Sequence, residues 1–310
     1  MSHEATAALL ARMGGRLHLT DGGLETTMIF HERLDLPQFA AFTLLETPEG
    51  RAALQRYFTG FQDTAAALGL GFVLDTATWR ASEGWGEVMG LAPPEIDRIN
   101  RAAVAFARML ADGHGAGDAI VNGVVGPHGD AYHPDSVLGP DEAFDYHFRQ
   151  VAVLADAGVD MVSAVTISST GEAIGIAEAA REMGIPVALS FTVETDGRLI
   201  GGQGLAEAIA ITDAATNGYP VWYGINCAHP DHFGPGLQGD WTARLGALRA
   251  NASRQSHAEL DAAAELDDGN PDELAAAYAD LRDRLSALRV VGGCCGTDLR
   301  HVAAIGHRCH

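Results

Sequence analysis

The stretch "VDMVSAVTISSTGEAIGIAEAAREMGIPVALSFTV", Val159 to Val193, reads as strand, helix, strand. Its ends, "VDMVSAVTI" from Val159 and "PVALSFTV" from Pro186, are short apolar runs rich in β-branched residues and bounded by turn signals. Between them "GEAIGIAEAAREMG" keeps a helical rhythm and stops at Gly184. Strands joined through a helix run parallel. Working outward, six more strand candidates appear: "RLHLTDGG" from Arg16, "GFVLDTAT" from Gly71, "AIVNGVVGP" from Ala119, "VWYGINC" from Val221, "LGALRANAS" from Leu245 and "LRVVGGCC" from Leu288. Helical segments separate most of them. Those from Pro48, Pro93 and Pro140 each start with proline and an acid and end at glycine, and those from Leu205 and Asn270 share the rhythm. Eight strands alternating with helices over 310 residues predict a (β/α)8 TIM barrel, with a doubly wound open sheet as the competing α/β arrangement. There is no short internal repeat and no low-complexity linker, so residues 1–310 are expected to form a single barrel domain.

The bulk composition, with 47% hydrophobic residues and only four cysteines, fits neither a disordered chain nor a disulfide-rich mini-fold. With 20 Lys and Arg against 41 Asp and Glu, the formal charge is −21. Such a surface repels phosphate backbones and anionic lipid, so neither nucleic acid nor a membrane is an expected partner. The first residues lack a basic start followed by an apolar core, and no apolar run approaches the ~18 residues of a membrane span. The expected compartment is the cytoplasm, where thiols stay reduced. Clustered cysteines there point to metal or catalysis before disulfides.

In a barrel of this kind the chemistry sits at the C-terminal strand ends. Asp21, Gly22 and Gly23 end the first strand candidate, Asp75 and Thr76 the second, and Gly126 and Pro127 follow the third. Thr192 lies late on the fifth, Cys227 closes the sixth, Asn251 the seventh, and Cys294 with Cys295 the eighth. Three of the four cysteines thus fall on one rim. Neighbouring residues have Cα atoms about 3.8 Å apart, below the usual disulfide span. Neighbouring strand residues also point to opposite faces, so Cys294 and Cys295 can share an ion only if the chain bends. Gly292, Gly293 and Gly296 are expected to supply that freedom. With Cys227 they would hold one Zn2+ through three thiolates, leaving an open fourth position, the mark of a catalytic site. Three thiolates quench a dication's Lewis acidity but suit a different chemistry, in which a substrate thiol in the fourth position loses its proton and keeps its nucleophilicity. Attack of that sulfur on an activated alkyl group is the expected reaction. An alternative ligand set within "CAHPDH" pairs Cys227 with His229 and His232, in what reads as a flexible rim loop, and the terminal "HRCH" (His307, Cys309, His310) reads as an exposed tail.

"DGGLET" at the first strand, "GINC" at the sixth and "GGCCGT" at the eighth resemble the homocysteine S-methyltransferases, which include betaine–homocysteine and S-methylmethionine-dependent enzymes and the homocysteine module of cobalamin-dependent methionine synthase. "GPHGDAY" (Gly126 to Tyr132) and "SFTVETDGRLIGGQ" (Ser190 to Gln203) extend the likeness over nearly the whole chain. The resemblance implies a (β/α)8 barrel and a zinc site on Cys227, Cys294 and Cys295. It implies that Asp21 holds the amino acid group of homocysteine, that Gly22 and Gly23 let the backbone approach it, and that Asn226 orients its neighbouring ligand. The product would be methionine. Thr76 and Thr166 fall on the same rim as candidate substrate contacts.

Two departures stand out. Many members carry a glutamate before a threonine in the fourth strand, for the amino group of homocysteine; here Val165 precedes Thr166. Glu172 lies farther on and is expected to open a helix. In "DTATWRAS", Trp79 and, secondarily, Trp85 offer aromatic walls for an onium donor, or merely pack the barrel mouth. Asp75 and Asn251 stay open between ligand contact and structural roles. The leading expectation is a zinc-dependent S-methyltransferase taking its methyl from S-methylmethionine, S-adenosylmethionine or a betaine-like donor. Another small thiol as acceptor, a non-catalytic zinc-binding barrel and a zinc hydrolase are the alternatives. No Rossmann glycine fingerprint, Walker A motif or G-x-S-x-G element is present, and 310 residues leave no room for a cobalamin domain beside the barrel.

Overall fold

The computed structural model describes residues 2–114, 119–132, 137–263 and 265–310. Eight parallel strands close into a barrel in chain order: β1 His18–Leu19, β2 Gly71–Asp75, β3 Ile120–Val125, β4 Met161–Ile167, β5 Val187–Phe191, β6 Trp222–Asn226, β7 Leu245–Ala250 and β8 Val290–Gly293. Closure is made by β1 against β8, with His18 opposite Val290 and Leu19 opposite Val291, which excludes the open sheet. All eight expected strands are present. β1 is much shorter than its apolar run, although bonds to β8 run on past Leu19, from the Thr20 N–H to the Val291 carbonyl and from the Gly293 N–H to the Asp21 carbonyl.

The proline-acid starts open helices as expected. Pro48–Ala67 is capped by the Thr47 side chain, Pro93–Gly113 and Pro140–Asp156 by a glutamate reaching back from the third position, and Pro271–Arg284 by Asn270. Thr170–Met183 and Leu205–Thr216 end on left-handed Gly184 and Asn217. After β6 the full-length helix is replaced by the single turn Pro230–Phe233 and a 3-10 segment.

Of the helices that were not expected, the two longest pack on the barrel. Ser2–Met13 closes the N-terminal end of the barrel, where Leu9 and Met13 pack on Val73, Ile120, Met161 and Trp222. Leu299–Cys309 corrects the reading of the C-terminus as a tail. Its Val302, Ile305 and Cys309 are buried against the barrel, while His307 and His310 are exposed. Among the described residues, no helix is long and apolar enough to cross a membrane.

Candidate metal and substrate site

The C-terminal rim holds a cleft lined by Asp21, Gly22, Gly23, Thr76, Trp79, Thr166, Asn226, Cys227, Cys294 and Cys295, ten positions singled out from sequence. Leu24, Glu25, Thr26, Asp75, Ala77, Val124, Val165 and Arg249 complete its wall.

Besides the runs 21–26 and 75–77 that follow β1 and end β2, three pairs of consecutive residues face this cleft: Val165 with Thr166, Asn226 with Cys227, and Cys294 with Cys295. A regular strand cannot do that, since its side chains alternate. Each pair stands at a break in the strand geometry. Thr166 (φ 65°) and Cys227 (φ 53°) are left-handed, and Gly296 (φ 77°) turns the chain just after the cysteine pair. A β-branched threonine in that region is strained. The Asn226 side chain holds it there, accepting from the Thr166 N–H at 2.8 Å and donating to Thr166 Oγ1 at 2.9 Å. Gly292 and Gly293, expected to give backbone freedom, lie within regular β8 and give room instead. A Cβ on Gly293 would overlap the Thr297 hydroxyl, and one on Gly292 would meet the Asp21 carbonyl at 2.7 Å.

The sulfurs of Cys227, Cys294 and Cys295 lie within 4.8 Å of one another, with Cys227 and Cys295 at 3.8 Å. Cys227 is buried, Cys294 half-buried and Cys295 exposed, so the cluster is closed below and open toward the cleft. Thiol hydrogen bonds from Cys294 and Cys295, against burial, hold Cys227 well below the usual thiol range; the same contact with Cys227 pushes Cys294 up to about 12. Sulfur donors in this number fit Zn2+, with a position left for a further ligand. Among the described residues this is the one such group; His229 instead caps the turn after β6 and His232 bonds the Arg254 carbonyl. The alternative set of Cys227 with those histidines is therefore not assembled, and buried His229 corrects the flexible-loop reading.

Around the cluster, Asn226 Nδ2 reaches Cys294 Sγ at 3.9 Å. The Cys227 carbonyl accepts from Asn251 at 3.1 Å and contacts His257 Nε2 at 2.6 Å. Asn251 thus ties β7 to the chain at Cys227 and does not line the cleft itself. Tyr132 lies tilted over the His257 ring, with the ring centroids 3.9 Å apart.

Sequence reasoning missed two charged groups. Arg249, in mid-β7, reaches Asp21 at 2.5 Å and also Asp75, and donates to the Gly293 carbonyl. Asp21 further accepts from Tyr57 (3.2 Å) and Thr20 (3.3 Å), and Asp75 from Asn122 (2.7 Å). Burial, opposed by Arg249, raises Asp21 to about 7. The signal was an arginine inside the apolar run "LGALRA". The other is Glu25, on the helical turn Leu24–Thr26, whose carboxyl burial also pushes up to about 7.

Trp79 lines the cleft and Trp85 does not. The Arg80 guanidinium lies over both rings, 4.5 Å from Trp79 and 3.6 Å from Trp85, so a cation already occupies one face of each. Glu172 opens the helix after β4, as expected, and is buried against His147 at 2.9 Å.

A sequence profile of the homocysteine S-methyltransferase family matches residues 18–309. The homocysteine S-methyltransferase of Escherichia coli is 28% identical over 249 residues, 75% of this chain and 78% of its own. The S-methylmethionine–homocysteine S-methyltransferase of Rattus norvegicus is 24% identical over 94% of this chain and 78% of its own. The metallated crystal structure of the E. coli homocysteine methyltransferase MmuM superposes with a TM-score of 0.71 at 22% identity, covering 98% of this chain and 99% of that one. With a match from β1 to the last helix, the chain belongs to the homocysteine S-methyltransferase family and is a methyltransferase.

Proposed function

We propose that residues 1–310 act as one domain that methylates a small thiol, homocysteine first among them, beside a zinc ion held by Cys227, Cys294 and Cys295. The observation that carries this is the three-thiol cluster opening into a cleft on the barrel rim. That a metallated form of the E. coli relative exists supports a metal in this protein too. Zinc held by these residues would acidify a thiol placed in its open position.

The chain's own groups do the remaining work. Asn251 and His257 fix the carbonyl of Cys227, and Asn226 keeps Thr166 and Cys294 in register. Gly22 and Gly23 pack against the turn after β8, where a Cβ on Gly23 would meet the Cys294 carbonyl at 2.7 Å, so the acceptor's wall there is bare backbone. Asp21, Thr76 and Thr166 provide polar contacts for the acceptor, and Trp79 an apolar wall beside the transferred methyl. The acceptor gives its thiol proton to solvent. Its sulfur forms the new bond to the methyl carbon as the donor's onium–methyl bond breaks, and the donor leaves as a neutral thioether or amine. The rat relative's name favours S-methylmethionine as donor, with S-adenosylmethionine and betaine-like compounds as the other onium candidates.

The test is methionine formation from homocysteine by zinc-loaded protein, each donor offered separately. Turnover with one donor identifies both substrates. No methionine with any donor, on protein carrying one zinc per chain, would refute homocysteine as acceptor.

A further inference from the structure

The charges of the cleft are unequally matched. Arg249 is shared between Asp21 and Asp75, and those two carboxylates also take the Tyr57, Thr20 and Asn122 donors. These groups satisfy one another. Glu25 stands apart: among the described residues no side chain forms a hydrogen bond or an ion pair with its carboxyl. It lines the same cleft, within electrostatic reach of Asp21 and Cys294 and of the cations Arg249 and Arg80, neither of which forms an ion pair with it, while Val165 brings no charge. Nor is its position loose. Thr26 beside it accepts from the Gly296 N–H at 3.2 Å and donates to the Gly23 carbonyl at 3.1 Å, tying the turn to the cysteine pair's own loop. A partly desolvated carboxylate beside a thiolate cluster is unfavourable until a cation joins it.

We propose that Glu25 receives the ammonium group of the acceptor, and so selects amino-acid thiols over simple thiols. The assignment rests on the proposed function, with the acceptor sulfur at the three-cysteine cluster. The donor's onium centre is the poorer match. That centre loses its charge during transfer, so a carboxylate fixed beside it would stabilise the ground state more than the transition state. The acceptor's ammonium keeps its charge throughout, and anchoring it there does not hinder the reaction.

The test compares calorimetric titrations of zinc-loaded protein with homocysteine and with 4-mercaptobutanoate, which has the same thiol and carboxylate but no amino group. Wild type should favour homocysteine about 10- to 100-fold, as a charged hydrogen bond implies. Glu25→Gln, with zinc content unchanged, should bring the two thiols within about 3-fold by weakening homocysteine alone. Unchanged discrimination in Glu25→Gln would overturn the assignment. So would a loss confined to donor affinity, which would place Glu25 on the donor. If neither thiol binds zinc-loaded wild type, the acceptor reading itself fails, and this assignment with it.

Discussion

Replacing Arg249 with methionine removes the cation that the structure sets between Asp21 and Asp75. The side chains are 15%, 3% and 6% exposed, so solvent cannot take its place. Breaking a buried ion pair from one side costs about 3–5 kcal/mol, because the partner's charge stays buried and unpaired. The loss should depend on pH, in a direction fixed by linkage. Asp21 is already raised to about 7 in the folded protein, against about 3.9 in an unfolded chain. A folded-state pKa above the unfolded one means that the native state binds more protons, so its stability falls as pH rises between the two values. Without Arg249 the upward shift grows, at about 1.4 kcal/mol per unit. The destabilisation of Arg249→Met relative to wild type should therefore be near the full ~3–5 kcal/mol at pH 8. At pH 5, where Asp21 has taken up a proton, it should shrink to about 1–2 kcal/mol. Urea unfolding at the two pH values measures this. Adding Asp21→Asn and Asp75→Asn should recover most of the pH 8 loss. A difference below about 1 kcal/mol at pH 8, or one equal at both pH values, would refute the argument that this cation neutralises the cleft floor.

Cys227→Ala and Cys294→Ala should each lose bound zinc and activity together; a variant that keeps one zinc per chain removes its cysteine from the ligand set. Asn226→Ala should cost about 2 kcal/mol by freeing the left-handed Thr166 of both its bonds, and raise the acceptor KM. Unchanged thermal stability would count against the clamp. Val165→Glu should lower the homocysteine KM about 10-fold, by adding a carboxylate for the amino group beside Thr166, and an unaltered KM would show that this position does not reach the amino group. Asp298→Ala removes the cap of the last helix, whose side chain accepts from the Arg300 N–H, and should cost about 1–2 kcal/mol. Bonds from His301 and Arg300 outweigh burial and hold that carboxyl well below the usual range. Its stabilisation is thus present above an unfolded pKa of about 3.9, and the Asp298→Ala deficit should be the same at pH 7 and pH 5. A deficit that disappears by pH 5 contradicts this.

The strands could be read because parallel barrel strands are buried on both faces, leaving apolar runs such as "AIVNGVV" and "PVALSF" that turn residues interrupt. The cysteines could be placed because each falls where such a run stops. The C-terminal helix was also legible: Val302, Ile305 and Cys309 recur at helical spacing, and the two histidines of "HRCH" drew attention from it. Glu25 left no such trace. Nothing in "DGGLET" says that the chain turns helical at Leu24 and points an acid back at Cys294. Arg249 was visible as a charge in a strand, but its partners stand 228 and 174 positions away, and only barrel closure brings them together.

The deeper gap concerns backbone conformation. A glycine announces a left-handed turn, whereas Thr166 and Cys227 adopt one without any residue that favours it. That choice is explained by what the cleft needs. Alternation along a strand gives each of the eight strand ends one inward side chain, and the site asks for two from β4, β6 and the segment after β8. Glycine at position 166 or 227 would ease the torsion and remove the very side chain the turn exists to present. The strain, about 1–3 kcal/mol for each such residue, is then held by the neighbours: Asn226 on Thr166, and Asn251 with His257 on Cys227. It follows that Thr166→Gly should stabilise the fold or leave it unchanged while impairing acceptor binding. An equal loss of both would mean that the threonine is there for packing, and that the left-handed turn has no bearing on the site.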